Sequence, residues 1–171
     1  MYEELFSWDE WVSTFKGGLH FGFALIALVL GAIMLMRPKG TKSHRILGTA
    51  YVIFMVVINV SALSMHEISG QMTLFHAFAI LSLATLTPGY VCILLYKRRR
   101  HPLWLELHRQ FITWSYFGLV AAGVWQVGLK IAMSMVDPSL YGTLIMALNV
   151  MTFLAAIPVF LLLRRASRIA A

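Results

Sequence analysis

Six histidines punctuate an otherwise apolar chain, at positions 20, 44, 66, 76, 101 and 108. Four of them open long apolar runs: His20 in HFGFALIAL, His44 in HRILGTAY, His76 in HAFAILSL and His108 in HRQFITWSY. An imidazole at the edge of a membrane span is costly unless it faces protein, a bound group or water. These four positions are therefore where the chain has placed its chemistry.

Their order repeats. An outer-histidine helix, a basic loop and a His-Arg helix with a tyrosine two turns on (Tyr51, Tyr116) occur twice. Such a parallel repeat relates its halves by an axis along the membrane normal. His20 is then expected opposite His76 near the outer face, and His44 opposite His108 near the inner face. At about 1.5 Å per helical residue the two levels lie roughly 20 Å apart.

Two imidazoles facing each other at each of two depths suit two haem b groups, because a haem iron takes two axial ligands. Small residues would leave room for the macrocycles: Gly17, Gly18, Gly22 and Gly31 on the first span, Gly48 on the second, and Gly118, Ala121, Ala122 and Gly123 on the fourth. Arg45 and Arg109, with Lys42 nearby, would balance the propionates. The expectation is an electron-transfer protein with His20 and His76 as outer ligands and His44 and His108 as inner ligands of the iron. No Walker loop, nucleophile elbow or HExxH sequence is present, so no catalytic residue is assigned.

Other readings use the same residues. His66 is an alternative outer ligand, and His20, His66 and His76 together could hold zinc or, with methionine nearby, reduced copper. Interfacial histidines also reach lipid headgroups, and small residues serve helix packing in lipid without any cofactor. The second reading is thus a non-redox accessory, assembly or transport protein. His101, between Arg100 and Pro102, is expected to be exposed. Gln126 and Lys130, one turn apart, could line a ligand pocket on the outer face, and Asn59 and Asn149 are candidates for bonds between helices.

The composition dictates what positions these groups. Of 171 residues 60% are hydrophobic and 12% charged, with a mean hydropathy of +0.78. A soluble domain carries about 25% charged residues, so the class is all-α integral membrane. Runs of about 20 apolar residues predict five spans: 17–36, 43–65, 71–96, 107–133 and 141–163. They group as one membrane domain: an outer interfacial segment 1–16, helix-pair repeats 17–66 and 71–133, and a peripheral fifth span beside a pseudo-symmetric four-helix core. Continuous rather than alternating apolar runs argue against strands. Pro88 and Pro158 are expected to kink their helices. The acidic start lacks the basic region of a signal peptide, so the first run is expected to stay as a span. The single cysteine, Cys92, excludes a disulfide within the chain.

Charge gives the orientation. Arg37, Lys39, Lys42, Arg45, Lys97, Arg98, Arg99, Arg100, Arg109, Arg164, Arg165 and Arg168 are twelve of the fourteen basic residues, and all fall on one side. Glu3, Glu4, Asp9, Glu10, Glu67 and Asp137 fall on the other. The positive-inside rule places the N-terminus outside and the C-terminus in the cytoplasm. The net charge of +7 belongs to this asymmetry and to anionic headgroups, not to nucleic acid.

The fourth span carries a resemblance. HRQFITWSYFGLVAAGVWQ resembles the His-x-x-x-(Met/Ile)-x-x-Ser-Tyr-x-Gly-Leu-x-Ala-Ala segment of a bacterial family of membrane proteins filed as domain of unknown function 2306. The likeness extends through HRILGTAYV and the Gly/Ala-rich span after His20, covering residues 17 to 130. Where that family often has an acid late in the segment, this chain has Gln126. The resemblance implies fold and topology, but no activity; the expected location is the inner membrane of a bacterial cell. The histidine layout is also similar to that of cytochrome b561-type di-haem carriers. That similarity implies a transmembrane oxidoreductase with a quinone or other small redox donor or acceptor. Assembly as a homo-oligomer or within a larger membrane complex is compatible with it.

Overall fold

The computed structural model describes residues 15–64, 74–135 and 137–140, together with positions 143, 146, 147, 150, 151 and 154. Among the described residues four long helices carry the fold: α1 Phe15–Met36, α2 Lys42–Ser64, α3 Leu74–Arg99 and α4 Pro102–Met135, followed by a short 3-10 turn Pro138–Leu140. No strand occurs among the described residues. Within the segment expected as a fifth span, the six described positions are helical and exposed. The rest of that span, the segment 1–14, Glu67, Asn149 and the basic residues after Leu163 lie outside the described residues.

Three helices among the described residues are long and apolar enough to cross a membrane: α1, α2 and the His76–Arg99 part of α3. The 34-residue α4 is the longest of the described helices.

The turns explain the ends. Pro38 cannot continue α1, and Gly40 takes φ +78°, a conformation that glycine adopts without strain. Thr41 then caps α2, its hydroxyl accepting from the His44 backbone N–H at 3.2 Å. At the far end of α3, Arg100 takes a left-handed φ of 55°, and Pro102 follows at the first position of α4, where its missing N–H is harmless. His101 is exposed, as expected. It caps α4: its Nδ1 accepts from the Leu103 N–H at 3.3 Å. Pro88 lies inside α3, which continues through it to Arg99.

The helices up to Val120 form one compact unit, and the chain from Ala121 onward belongs to a second. In the first, α1 packs most closely on α2. The buried core comprises Ala27, Met34, Tyr51, Met55, Ile58, Leu86 and Ile112. Phe23 of α1 meets Phe54 of α2 with ring centroids 5.5 Å apart. Polar groups between membrane helices need partners, because unpaired ones are expensive there. Buried Asn59 donates to the Ser82 hydroxyl of α3 at 3.0 Å and to Met55 O at 2.8 Å. Meanwhile Leu25, Val29, Ile53, Val60, Ile80, Leu81 and Leu94 face outward, which fits a lipid surround and not water.

Candidate functional site

The two hairpins α1–α2 and α3–α4 each hold the histidine near the start of their second helix in the same way. The His44 Nδ1–H donates across to the Met34 carbonyl of α1 at 3.1 Å. The His108 Nδ1–H donates to the Gly89 carbonyl of α3 at 2.8 Å. Met34 lies fourteen residues after His20, and Gly89 thirteen after His76. The same bond thus recurs at nearly the same register in both halves.

These bonds fix the tautomer. A carbonyl oxygen can only accept, so Nδ1 carries the proton and Nε2 keeps a lone pair. A histidine that binds a metal typically has its other ring nitrogen donating to a backbone carbonyl or carboxylate, which orients the ring and raises its basicity.

His20 and His76, near the starts of α1 and α3, are placed differently. His20 is half-buried, and its Nδ1 meets the Ser61 hydroxyl at 2.9 Å and the Ile58 carbonyl at 3.2 Å, both on α2. Because Ser61 already donates to Ile58 O at 2.7 Å, its oxygen accepts from His20, which again leaves Nε2 as the acceptor. His76 is 2% exposed on α3, a deep burial for an imidazole. His66 lies outside the described residues, so the outer triad with His20 and His76 has only two described members. Among the described residues no group of three or more His, Cys, Asp or Glu could hold a metal ion.

The remaining expected residues are distributed as follows. Arg45 is exposed beside His44. Arg109 is engaged with Glu106 in an ion pair at the protein surface, and Gln110 donates to the same carboxylate at 2.8 Å. Gln110 and then Arg109 hold the Glu106 carboxyl below its ordinary value. Gly48 adjoins the Met34 side chain. Gly22 and Gly18 floor an open groove on α1 lined by Phe15, Leu19, Phe23 and Ile26. Gly31 is filled from both sides by the rings of Tyr116 and Tyr51, so it seats tyrosines. Gln126 is exposed, and the Lys130 side chain lies outside the described set.

Sequence reasoning missed Ser61, Gly89 and Met34. Ser61 is a hydroxyl two residues after Asn59 on α2, and Pro88-Gly89 is a conspicuous dipeptide; Met34 acts through its backbone and leaves no signal. No curated protein and no solved structure matches the chain, so the likeness to cytochrome b561-type carriers rests on histidine layout alone. The chain does match one family, over residues 17–163, well past the 130 at which the motif resemblance ends. It belongs to the DUF2306 family of predicted membrane proteins.

Proposed function

We propose that this membrane protein is a di-haem b electron carrier. His44 and His108 would hold the inner haem, and His20 and His76 the outer one. The observation that carries the reading is the shared Nδ1 anchoring of His20, His44 and His108, which leaves each Nε2 as a lone-pair donor. Haem bound at these levels would supply one-electron transfer across the bilayer. The chain's own residues do the rest. Main-chain carbonyls and Ser61 fix the ring planes, and a rigid bundle keeps reorganisation small. Arg45 lies at the inner end, and Arg109, if released from Glu106, could join it against propionates.

Topology is part of the proposal: five spans, N-terminus outside, C-terminus in the cytoplasm of a bacterial cell. It rests on the basic turns of α1–α2 and α3–α4 and on the positive-inside rule. A quinone or another small redox molecule would serve as donor or acceptor.

The test is an absorbance spectrum of protein purified in detergent after growth with haem supplied, taken oxidised and then reduced with dithionite. A sharpened α band, with two haems per chain by pyridine haemochrome assay, is the expected result. A colourless preparation refutes the proposal and leaves a non-redox accessory or transport role.

A further inference from the structure

We infer that Gly89 is a positioning residue for the inner site, setting the ring of His108 through the α3–α4 spacing. This rests on the reading of His108 as a ligand. Two independent features meet at residue 89. Its carbonyl accepts the His108 Nδ1–H at 2.8 Å, shorter than the 3.1 Å bond from His44 to Met34 O. Its α-carbon lies against α4 so closely that an added methyl would stand 2.9 Å from Ile112 Cδ1, 3.1 Å from Phe111 Cβ and 3.2 Å from Ile112 Cγ1. The Ile112 terminus can swing away; the Phe111 Cβ is fixed to its backbone and cannot. A side chain at 89 therefore forces α3 and α4 apart, and the carbonyl moves away from the imidazole with α3. Pro88, one residue earlier, cannot donate to the Ala84 carbonyl, so α3 has lost one internal bond just before Gly89.

The first hairpin supplies the contrast. Gly48 lies one turn past His44, and a methyl there would meet only Met34 Cγ, at 3.8 Å, an ordinary contact. The inner imidazoles are thus braced alike but tolerate crowding unequally. His108 depends on a glycine, and His44 does not.

The experiment compares wild type, Gly89→Ala, Gly48→Ala and Gly89→Ala/Ile112→Ala, all full-length in nanodiscs. The first readout is the histidine nitrogen-15 NMR spectrum of haem-free protein, which reports the tautomer directly. In Gly89→Ala the ratio of Nδ1–H to Nε2–H forms at His108 is expected to fall about fivefold, the effect of losing one ordinary hydrogen bond. Gly48→Ala should leave His44 unchanged. In the double variant Phe111 Cβ still presses, so the fall should be smaller but present. A folded Gly89→Ala protein with a wild-type His108 signal overturns the inference. Failure of both the single and the double variant to fold also overturns it, because residue 89 would then serve packing alone. The second readout is a redox titration of haem-loaded protein, where Gly89→Ala should shift the midpoint of one haem, the one lost in His108→Ala, and leave the other in place. If wild type takes up no haem, the ligand reading fails, while the NMR arm still decides the role of Gly89.

Discussion

The rings of Tyr51 and Tyr116 meet in the buried middle of the bundle, centroids 6.3 Å apart and planes inclined by 60°. They are the two tyrosines that follow the two His-Arg sequences. The Tyr51 hydroxyl pairs with Ser115 at 3.1 Å, and the Tyr116 hydroxyl donates to the Leu28 carbonyl at 3.2 Å. Together the rings tie α1, α2 and α4 at one level, with Gly31 as their seat.

The Gly31→Ala variant should therefore be badly destabilised. Its methyl would overlap the Tyr116 ring and crowd the Tyr51 ring, and overpacking of this kind costs about 1–3 kcal/mol. Tyr116→Phe keeps the ring and loses one hydrogen bond, for about 0.5–1.5 kcal/mol. Thermal melts in detergent should rank Gly31→Ala clearly below Tyr116→Phe; the reverse order would contradict the packing.

His44→Ala and His108→Ala should each remove the same haem, and the double variant no more than either alone. His101→Ala should retain both haems, because its ring nitrogen only caps α4. Haem counts after purification decide this, and equal losses at 101 and 108 would reassign the ligands.

Arg100→Gly should stabilise the protein. A left-handed conformation costs a non-glycine residue about 1–2 kcal/mol, and Arg100 sits in it at the end of α3. A raised melting temperature is expected, and Gly40→Ala, at the other tight turn, should lower it.

The Glu106 carboxyl is held below its ordinary value by Gln110 and Arg109. A lowered folded value means that its contribution is present above the unfolded value, about 4.5, and fades as pH falls through the folded one. The pair is partly exposed, so screening limits it to about 0.2–1 kcal/mol. Glu106→Gln should melt slightly lower than wild type at pH 7 and level with it near pH 3.

Much of this was legible in the sequence. The apolar runs predicted α1 to α4 to within a few residues, except where α4 begins at Pro102 instead of 107. There Pro102 with the His101 cap, not hydropathy, sets the start. The repeated His-Arg pattern pointed to His44 and His108, because two similar phrases place similar residues at similar depths. The acceptors of their protons were hidden. Every residue has a carbonyl, so Met34 and Gly89 announce nothing through their side chains. Gly31 looked like space beside a cofactor. Its true neighbour, Tyr116, is 85 residues away in sequence, and no local pattern carries that distance.

The His44 and His108 imidazoles each take their brace from the helix just before their own. Neither needs the other half of the polypeptide to stay oriented. Severed between α2 and α3 and produced as two fragments in one cell, the protein is expected to reassemble by complementation, each half arriving with its histidine already aimed.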